Sequence, residues 1–316
     1  MHRLALLALL VAACGGSSSV ESIDAPAPDR DAASRDAPPG MPQGDASAST
    51  DPALDGSATV TQTTASIPGA TSGRTLAATV FAPSTTGPHA LVVISPGFQL
   101  ARTQYTSYAK HLATWGFVAI LTDYADTSFF PDHQLMATDV PAVITWAIAQ
   151  PALAVDATKI GLAGHSLGGK ISTLAAAADP RVRALVLWDP VDSSTTPAVP
   201  GPMSAVTAAV AVIGETTNAA GGFMPCAPAA DNFTTFYAAA PSPALQATVS
   251  AADHMDWVDD PTCFVCTACG AGTAPPERTR TATRRLDVAW FRKHLLADTT
   301  YDSWLAATAD VATVTK

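Results

Sequence analysis

Short apolar segments alternate with amphipathic segments along residues 59–316, and this alternation predicts a mostly parallel sheet covered by helices. The segments that we expect to form buried strands are residues 91–94, 117–121, 159–163, 184–188, 208–213 and, as the last strand, 246–250. The segments with helical periodicity are residues 104–115, 135–149, 168–178 and 284–296. Residues 59–67 and 76–81 predict an antiparallel pair at the entry edge. The pattern indicates one α/β domain with helices on both faces of the sheet.

The turn between the strand at 159–163 and the helix at 168–178 carries a recognisable motif. Its sequence is Gly-His-Ser-Leu-Gly-Gly at residues 164–169, which fits G-x-S-x-G at a sharp strand-to-helix turn. Glycine is needed on both sides of the serine because Cβ atoms would clash where the strand and the helix meet. We therefore predict an α/β-hydrolase fold in which Ser166 is a nucleophile.

A serine hydroxyl needs a general base, and in this fold the nucleophile, the acid and the histidine follow in that order along the chain. Two histidines follow Ser166, namely His254 in a loop after the strand at 246–250 and His294 inside the last predicted helix. We predict that His254 is the base. We interpret His294 as a solvated surface residue and His165, beside the nucleophile, as structural.

The order of residues leaves the acid open among three carboxylates. Asp189 and Asp192 follow one predicted strand, and Glu215 follows the next. For the oxyanion hole, the fold needs a backbone N–H from the residue after the nucleophile and one from the loop after the first parallel strand, which predicts Leu167 and Phe98. Such a mechanism needs no cofactor, since water attacks the acyl-enzyme with the same base.

The N-terminal region differs from the rest in composition. Residues 1–13 carry Arg3 and an apolar run that ends in small residues, as in a secretory signal, and they are too short to span a bilayer. The run ends in Val-Ala-Ala-Cys, which resembles a bacterial lipoprotein processing site. We expect an acylated Cys14 that anchors an exported protein to a bacterial membrane, with a plain secretory signal or a misassigned start as the alternatives. Residues 15–58 are rich in Pro, Ala, Ser, Asp and Gly and predict a disordered tether.

Charge and cysteine content bear on the classes of ligand and on the kind of cysteine site. The formal net charge of −10 argues against nucleic-acid binding. Besides Cys14, four cysteines occur, and export favours two disulfides with three possible pairings over a zinc site. They are Cys226, Cys263, Cys266 and Cys269. We expect a monomer whose partner is a small-molecule or polymeric ester.

Two further features concern the loops. Residues 192–207 and 216–231 are long, irregular and at strand ends, where we expect them to form much of the substrate pocket. Four aspartates between residues 253 and 260 are a candidate cation site, but we favour capping and solvated positions for them.

Several motifs occur together in a fixed order. They are Pro-Gly-Phe at 96–98, Trp-Gly-Phe at 115–117, the serine turn with the following Lys170, Asp-Pro-Val-Asp at 189–192, Val-Ile-Gly at 212–214, Pro-Cys-Ala-Pro at 225–228 and His-Met-Asp at 254–256. In this order they resemble the chlorophyllase family of α/β hydrolases over residues 91–296. The resemblance implies a serine carboxylic ester hydrolase with Asp189 as acid and His254 as base.

The chain departs from that family at two places. Plant chlorophyllases usually have Arg where this chain has Leu167, and His-Gly-Phe at residues 96–98. The resemblance therefore implies ester hydrolysis without fixing chlorophyll as the substrate.

Two other functions remain open. The chain is also similar to polyester hydrolases and cutinase-like enzymes around residues 164–169 and 298–305, and there the acid would be Glu215. A surface-binding protein that keeps the fold without catalysis is the remaining alternative.

Overall fold

The computed structural model describes residues 50–124, 128–192, 195–220, 225–263 and 266–316. Its strands are β1 (Val60–Pro68), β2 (Thr75–Pro83), β3 (His89–Ser95), β4 (Val118–Thr122), β5 (Val155–His165), β6 (Val182–Trp188), β7 (Ala209–Glu215), β8 (Ala244–Val249) and β9 (Val311–Thr315). They form one sheet in the order β1-β2-β4-β3-β5-β6-β7-β8-β9. The six strands β3 to β8 run parallel to one another, whereas β1, β2 and β9 pair antiparallel at the two edges.

The helices cover both faces of this sheet. They are α1 (Thr106–Thr114), α2 (His133–Ile148), α3 (Leu167–Ala178), α4 (Gly201–Ala205), α5 (Phe233–Ala239) and α6 (Pro276–Leu296). Strand β6 shows how the two layers are filled, because Leu185 and Leu187 pack towards α2 to α5, whereas Val186 and Trp188 pack towards α1 and α6. A strand buried on both faces is a continuous apolar run, which is why the sequence pattern located it. The predicted α/β-hydrolase fold is confirmed.

The sheet continues beyond the strand that the sequence placed last. Strand β9 pairs antiparallel with β8, with Val311 opposite Val249. Of its five residues only Val311 is buried. An edge strand with so little buried surface has no clear apolar pattern, and the prediction that the sheet ends at residues 246–250 was wrong.

The packed part of the chain begins before the boundary that we placed at residue 59. Asp51 forms an ion pair of 2.7 Å with Arg285 on α6. The carbonyl oxygen of Pro52 lies 2.9 Å from Nε2 of His111 on α1. Residues 50–56 therefore lie against the domain, although they were included in the predicted tether. The signal, Cys14 and the tether up to residue 49 lie outside the described residues.

Two disulfides join the described cysteines. Cys226 pairs with Cys269, and Cys263 pairs with Cys266. This selects one of the three pairings that the sequence left open. In the described part of the chain, no helix is long and apolar enough to cross a bilayer.

Candidate active site

The serine turn has a strained backbone at its centre. Strand β5 ends at residue 165 and α3 begins at residue 167, so Ser166 alone makes the turn, with φ 52° and ψ −119°. A Cβ at Gly164 would lie 2.4 Å from the backbone of Gly168, and a Cβ at Gly168 would lie 2.1 Å from the carbonyl oxygen of Ser95. Both glycines are therefore required, as the motif predicted. A positive φ at a serine costs free energy and persists only where the surroundings enforce it, which is common at functional sites.

Three residues predicted from the sequence meet at this turn. Ser166 Oγ lies 2.9 Å from Nε2 of His254. Nδ1 of the same imidazole lies 2.6 Å from Oδ2 of Asp189. Ser166 is partly exposed, whereas His254 is buried and Asp189 is fully buried. The serine, histidine and aspartate are thus joined by two consecutive hydrogen bonds, with the serine nearest to solvent.

Asp189 follows β6 directly and has a positive φ of 39°. Burial raises the pKa of its carboxyl group, and the hydrogen bond from His254 opposes that rise. The hydrogen bond that the imidazole donates stabilises the ionised carboxylate, because a buried charge needs a partner. The two groups are therefore arranged to stabilise one another.

The other two candidate acids have different partners. Asp192 forms an ion pair of 3.2 Å with the buried Lys170 and accepts the backbone N–H groups of residues 198 and 199. Glu215 accepts the N–H groups of Thr217 and Asn218. Burial, and then the nearby charge of Asp189, raise the pKa of Glu215 to about 7. Of the three carboxylates, the geometry brings Asp189 alone into hydrogen-bond contact with His254 among the described residues.

Asn218 holds the loop that carries His254, a role that no sequence pattern indicates. Its Oδ1 accepts the backbone N–H of His254 at 2.7 Å, and its Nδ2 donates to the carbonyl oxygen of Gly270 at 2.9 Å. Asn218 is itself fixed by Glu215 at the end of β7. The disulfide between Cys226 and Cys269 joins the two segments around it. Asn218 and Cys226, in the described part of residues 216–231, therefore support the loop of the histidine.

The backbone N–H groups predicted for the oxyanion hole are those of Phe98 and Leu167. Gly97 donates its N–H to the hydroxyl of Tyr105 at 3.1 Å, and Pro96 has none to give, so Phe98 carries the next N–H of the loop. Leu167 is the first residue of α3, where N–H groups have no partner within the helix. Among the described residues, neither the Phe98 N–H nor the Leu167 N–H has a hydrogen-bond partner.

A cavity of about 300 Å³ opens beside these groups. It is lined by residues 96–101 and by Tyr124, Pro131, Met136 and Leu167, among others. None of the described residues of 192–207 and 216–231, where we expected the pocket, lines this cavity, whose lining comes largely from the loops after β3 and β4. Both loops follow parallel strands on the same edge as Ser166, which is where such folds bind ligands.

Three large exposed apolar side chains either line this cavity, as Phe98 does, or lie in the sequence between its lining residues Ser128 and Pro131. Phe98 is 39 % exposed, Phe129 79 % and Phe130 95 %. Three other large apolar side chains are exposed elsewhere in the described residues, namely Leu54, Leu296 and Val314. The three phenylalanines therefore belong to the two segments that line the cavity, residues 96–101 and 128–131.

The remaining predicted positions also have partners. His294 is half-buried against the ring of Trp290, with 4.2 Å between ring centroids. Trp290 lies four residues earlier on the same helix face, so the prediction of a solvated histidine was wrong. The four aspartates of residues 253–260 accept hydrogen bonds from nearby N–H and hydroxyl groups. Within the described residues, no group of three or more His, Cys, Asp or Glu side chains could hold a metal ion.

A comparison with protein families gives one match that covers most of the chain. The family model for chlorophyllase matches residues 50–314. The matched range begins where residues 50–56 pack on the domain and contains all the residues that meet at the serine turn.

Proposed function

Because the chain belongs to the chlorophyllase family, a family of α/β hydrolases, we propose that it is a serine carboxylic ester hydrolase with a triad of Ser166, His254 and Asp189. Family membership by itself indicates a hydrolase. The observation that supports the finer proposal is the pair of hydrogen bonds of 2.9 Å and 2.6 Å that joins the serine to the histidine and the histidine to the aspartate. This pattern of nucleophile, base and orienting acid is what serine activation requires.

In the proposed reaction, Ser166 Oγ attacks the ester carbonyl carbon while its proton moves to Nε2 of His254. The tetrahedral intermediate collapses, the bond to the alcohol oxygen breaks, and His254 gives its proton to the leaving alcohol. Water then attacks the acyl-enzyme with His254 again as base, and the acid product and Ser166 are released. The buried Asp189 holds Nδ1–H throughout and stabilises the imidazolium that forms in each half.

The charge that develops on the carbonyl oxygen needs preorganised donors. We assign this role to the Phe98 and Leu167 N–H groups, because both lie at the cavity beside Ser166. Donors that are already oriented need no reorganisation during the reaction, and one such donor contributes on the order of 3 kcal/mol to the stabilisation of the transition state.

The mouth of the cavity favours esters with an extended apolar group. Phe98, Phe129 and Phe130 expose aromatic surface that a hydrocarbon chain or a polyester segment can cover. We therefore propose that the natural substrate carries a large apolar acyl or alcohol part. This class includes long-chain esters and polymeric esters as well as pigment esters.

Hydrolysis of p-nitrophenyl esters of two chain lengths tests the proposal. The purified protein should release p-nitrophenol, and Ser166→Ala should abolish the release. The matched control is Ser172→Ala on α3, the helix that follows Ser166. The Ser172 hydroxyl donates to the carbonyl oxygen of Ala163 and should be dispensable for turnover. Absence of hydrolysis by folded protein, or equal losses in both variants, would contradict the proposal and favour a non-catalytic binding protein.

The identity of the acid separates this proposal from the cutinase-like alternative. Asp189→Asn should reduce kcat by up to about 10⁴-fold, since the histidine loses the partner that fixes its tautomer. Glu215→Gln keeps hydrogen-bonding capacity at the 216–218 turn, and it should reduce kcat far less. The reverse ranking of the two variants would make Glu215 the acid.

We also propose that the protein is exported and anchored through an acylated Cys14. Two disulfides favour an oxidising compartment. Metabolic labelling with a radioactive fatty acid tests the anchor, because Cys14→Ser should remove the label and release the protein from the membrane fraction. A Cys14→Ser protein that keeps the label and stays in the membrane fraction would contradict the proposed anchor.

A further inference from the structure

A second set of hydrogen bonds lies behind the triad and takes no part in the proton transfers described above. Tyr105 and His165 are both fully buried. The Tyr105 hydroxyl lies 2.8 Å from Nδ1 of His165, and Nε2 of His165 lies 2.8 Å from the carbonyl oxygen of His254. At its other end the same hydroxyl accepts the N–H of Gly97 at 3.1 Å.

The chemistry of these groups allows one direction for every proton. The carbonyl oxygen of His254 can only accept, so Nε2 of His165 must carry a proton and donate it. In a neutral ring Nδ1 is then the acceptor, so the Tyr105 hydroxyl donates to Nδ1 while its oxygen accepts the N–H of Gly97. Burial, and to a smaller extent the neighbouring His254, hold the pKa of His165 well below its ordinary value, so the ring stays neutral.

The two ends of this set belong to the two halves of the proposed site. Gly97 directly precedes Phe98, whose N–H is one of the proposed oxyanion donors. His254 is the proposed base, and its ring also packs against that of His165, with 4.7 Å between centroids. The loop fits closely here, because a Cβ at Gly97 would lie 3.1 Å from Nδ1 of His165.

We propose that Tyr105 and His165 are positioning residues that fix the distance between the oxyanion donor at Phe98 and the base His254. The inference rests on the proposed ester hydrolysis and adds two residues to the machinery that supports it. His165 was interpreted from the sequence as structural, and the new claim is that its hydrogen bonds set the reacting geometry. Both residues act through their neighbours and contact no reacting atom.

Tyr108 provides a matched control. It lies on α1, three residues after Tyr105, is equally buried, and stacks on the same Trp188 ring. Its hydroxyl has no hydrogen-bond partner among the described residues. Replacing either tyrosine with phenylalanine removes one buried hydroxyl, but only Tyr105→Phe breaks the connection between Gly97 and His165.

The first test compares kcat and KM of the full chain, Tyr105→Phe and Tyr108→Phe on p-nitrophenyl butyrate. We expect kcat of Tyr105→Phe to fall about 10- to 100-fold, because a shift of about 1 Å at the reacting groups can cost about 10² in rate. Its KM should change less than about threefold, since ground-state binding does not use the oxyanion donor. Tyr108→Phe should stay within about twofold of the parent. Similar kcat values for the two variants, or a loss confined to KM, would overturn the proposal.

The second test does not depend on activity and therefore separates this inference from the proposed function. In protein with ¹⁵N-labelled histidine, ring nitrogen signals report which nitrogen carries the proton, and a His165→Gln variant assigns them. We expect His165 to hold its proton on Nε2 between about pH 5 and pH 8, and Tyr105→Phe to change the Nδ1 signal while Tyr108→Phe leaves it unchanged. A His165 protonated on Nδ1 in the parent would overturn the inference whether or not the protein hydrolyses esters.

Discussion

The two disulfides should differ in their contribution to stability, and the structure gives the size of the difference. Cys226 and Cys269 are 43 residues apart, whereas Cys263 and Cys266 are 3 apart. The chain-entropy model assigns a cross-link about 4 kcal/mol for the longer loop and about 1.6 kcal/mol for the shorter one. Replacing both cysteines of the long-range pair with alanine should therefore lower the free energy of unfolding by about 2 kcal/mol more than the same change at the short-range pair.

The loss should also affect activity, because the long-range disulfide lies beside the groups that hold Asn218. The residue after Cys226 donates its N–H to the Asn218 carbonyl oxygen at 3.3 Å, and the residue after Cys269 accepts from its side chain at 2.9 Å. Asn218 in turn fixes the backbone of His254. We expect the long-range double variant to lose kcat under conditions where it is still folded.

Urea unfolding without reductant, followed by fluorescence, measures the stability difference, and p-nitrophenyl butyrate hydrolysis on the same samples measures kcat. The short-range double variant is the control for removing two cysteines. Equal losses of stability in the two double variants, or a long-range variant with unchanged stability and unchanged kcat, would contradict this prediction.

Two further predictions concern the cavity mouth and a buried carboxyl group. A double variant with serine at positions 129 and 130 should have a kcat/KM for a long-chain p-nitrophenyl ester that is about tenfold lower or more, because covering about 50 Å² of each ring is worth about 1.3 kcal/mol per ring. Its kcat/KM for the short-chain ester should not change, and neither should that of a Val314→Ser control on either ester. Parallel losses on both esters would contradict this prediction. Burial raises the pKa of Asp287 well above its ordinary value, while its hydrogen bond from Trp188 Nε1 opposes the rise. The folded state therefore binds this proton more tightly, so the contribution of Asp287 to stability is complete below about pH 4 and is lost as the pH rises through the folded-state pKa. Asp287→Asn keeps an acceptor for Trp188, and urea unfolding should show it gaining stability relative to the parent from about pH 4 to pH 8; parallel pH profiles would contradict the assignment.

Much of the fold could be predicted because the parallel strands are buried on both faces. Strands β3, β4, β6 and β7 are largely apolar runs, and the serine turn needs glycines at fixed positions. Strand β9 and residues 50–56 could not be predicted in the same way. Only Val311 of β9 is buried, and residues 50–56 are attached through polar contacts such as that between Asp51 and Arg285, which leave no pattern in the local sequence.

The candidate site divides along similar lines. The order of serine and histidine along the chain located Ser166 and His254, because the fold imposes that order. The order of residues could not identify the acid, because Asp189 and Glu215 lie at the ends of adjacent strands. Only the folded structure shows which carboxylate contacts the imidazole. The supporting contacts join residues far apart in sequence, as between Tyr105 and His165, and no spacing rule indicates such pairs.

One segment that we expected to form the substrate pocket makes contacts near His254 instead, as far as its described residues show. The segment at residues 216–231 is long, which is typical of substrate loops, but Asn218 accepts the backbone N–H of His254 and Cys226 forms a disulfide with Cys269. The cavity is lined instead by the loops after β3 and β4. Loop length alone does not distinguish a loop that binds substrate from one that supports a catalytic group.

Covalent labelling is the direct test of the proposal that Ser166 is an activated nucleophile. The folded protein is incubated with a fluorophosphonate, which reacts with activated serines, and the modified peptide is identified by mass spectrometry. We expect one adduct, located on Ser166, that forms rapidly in the parent, much more slowly in His254→Ala, and not at all in Ser166→Ala. Folded protein that forms no adduct, or an adduct on another serine that persists in Ser166→Ala, would contradict that proposal.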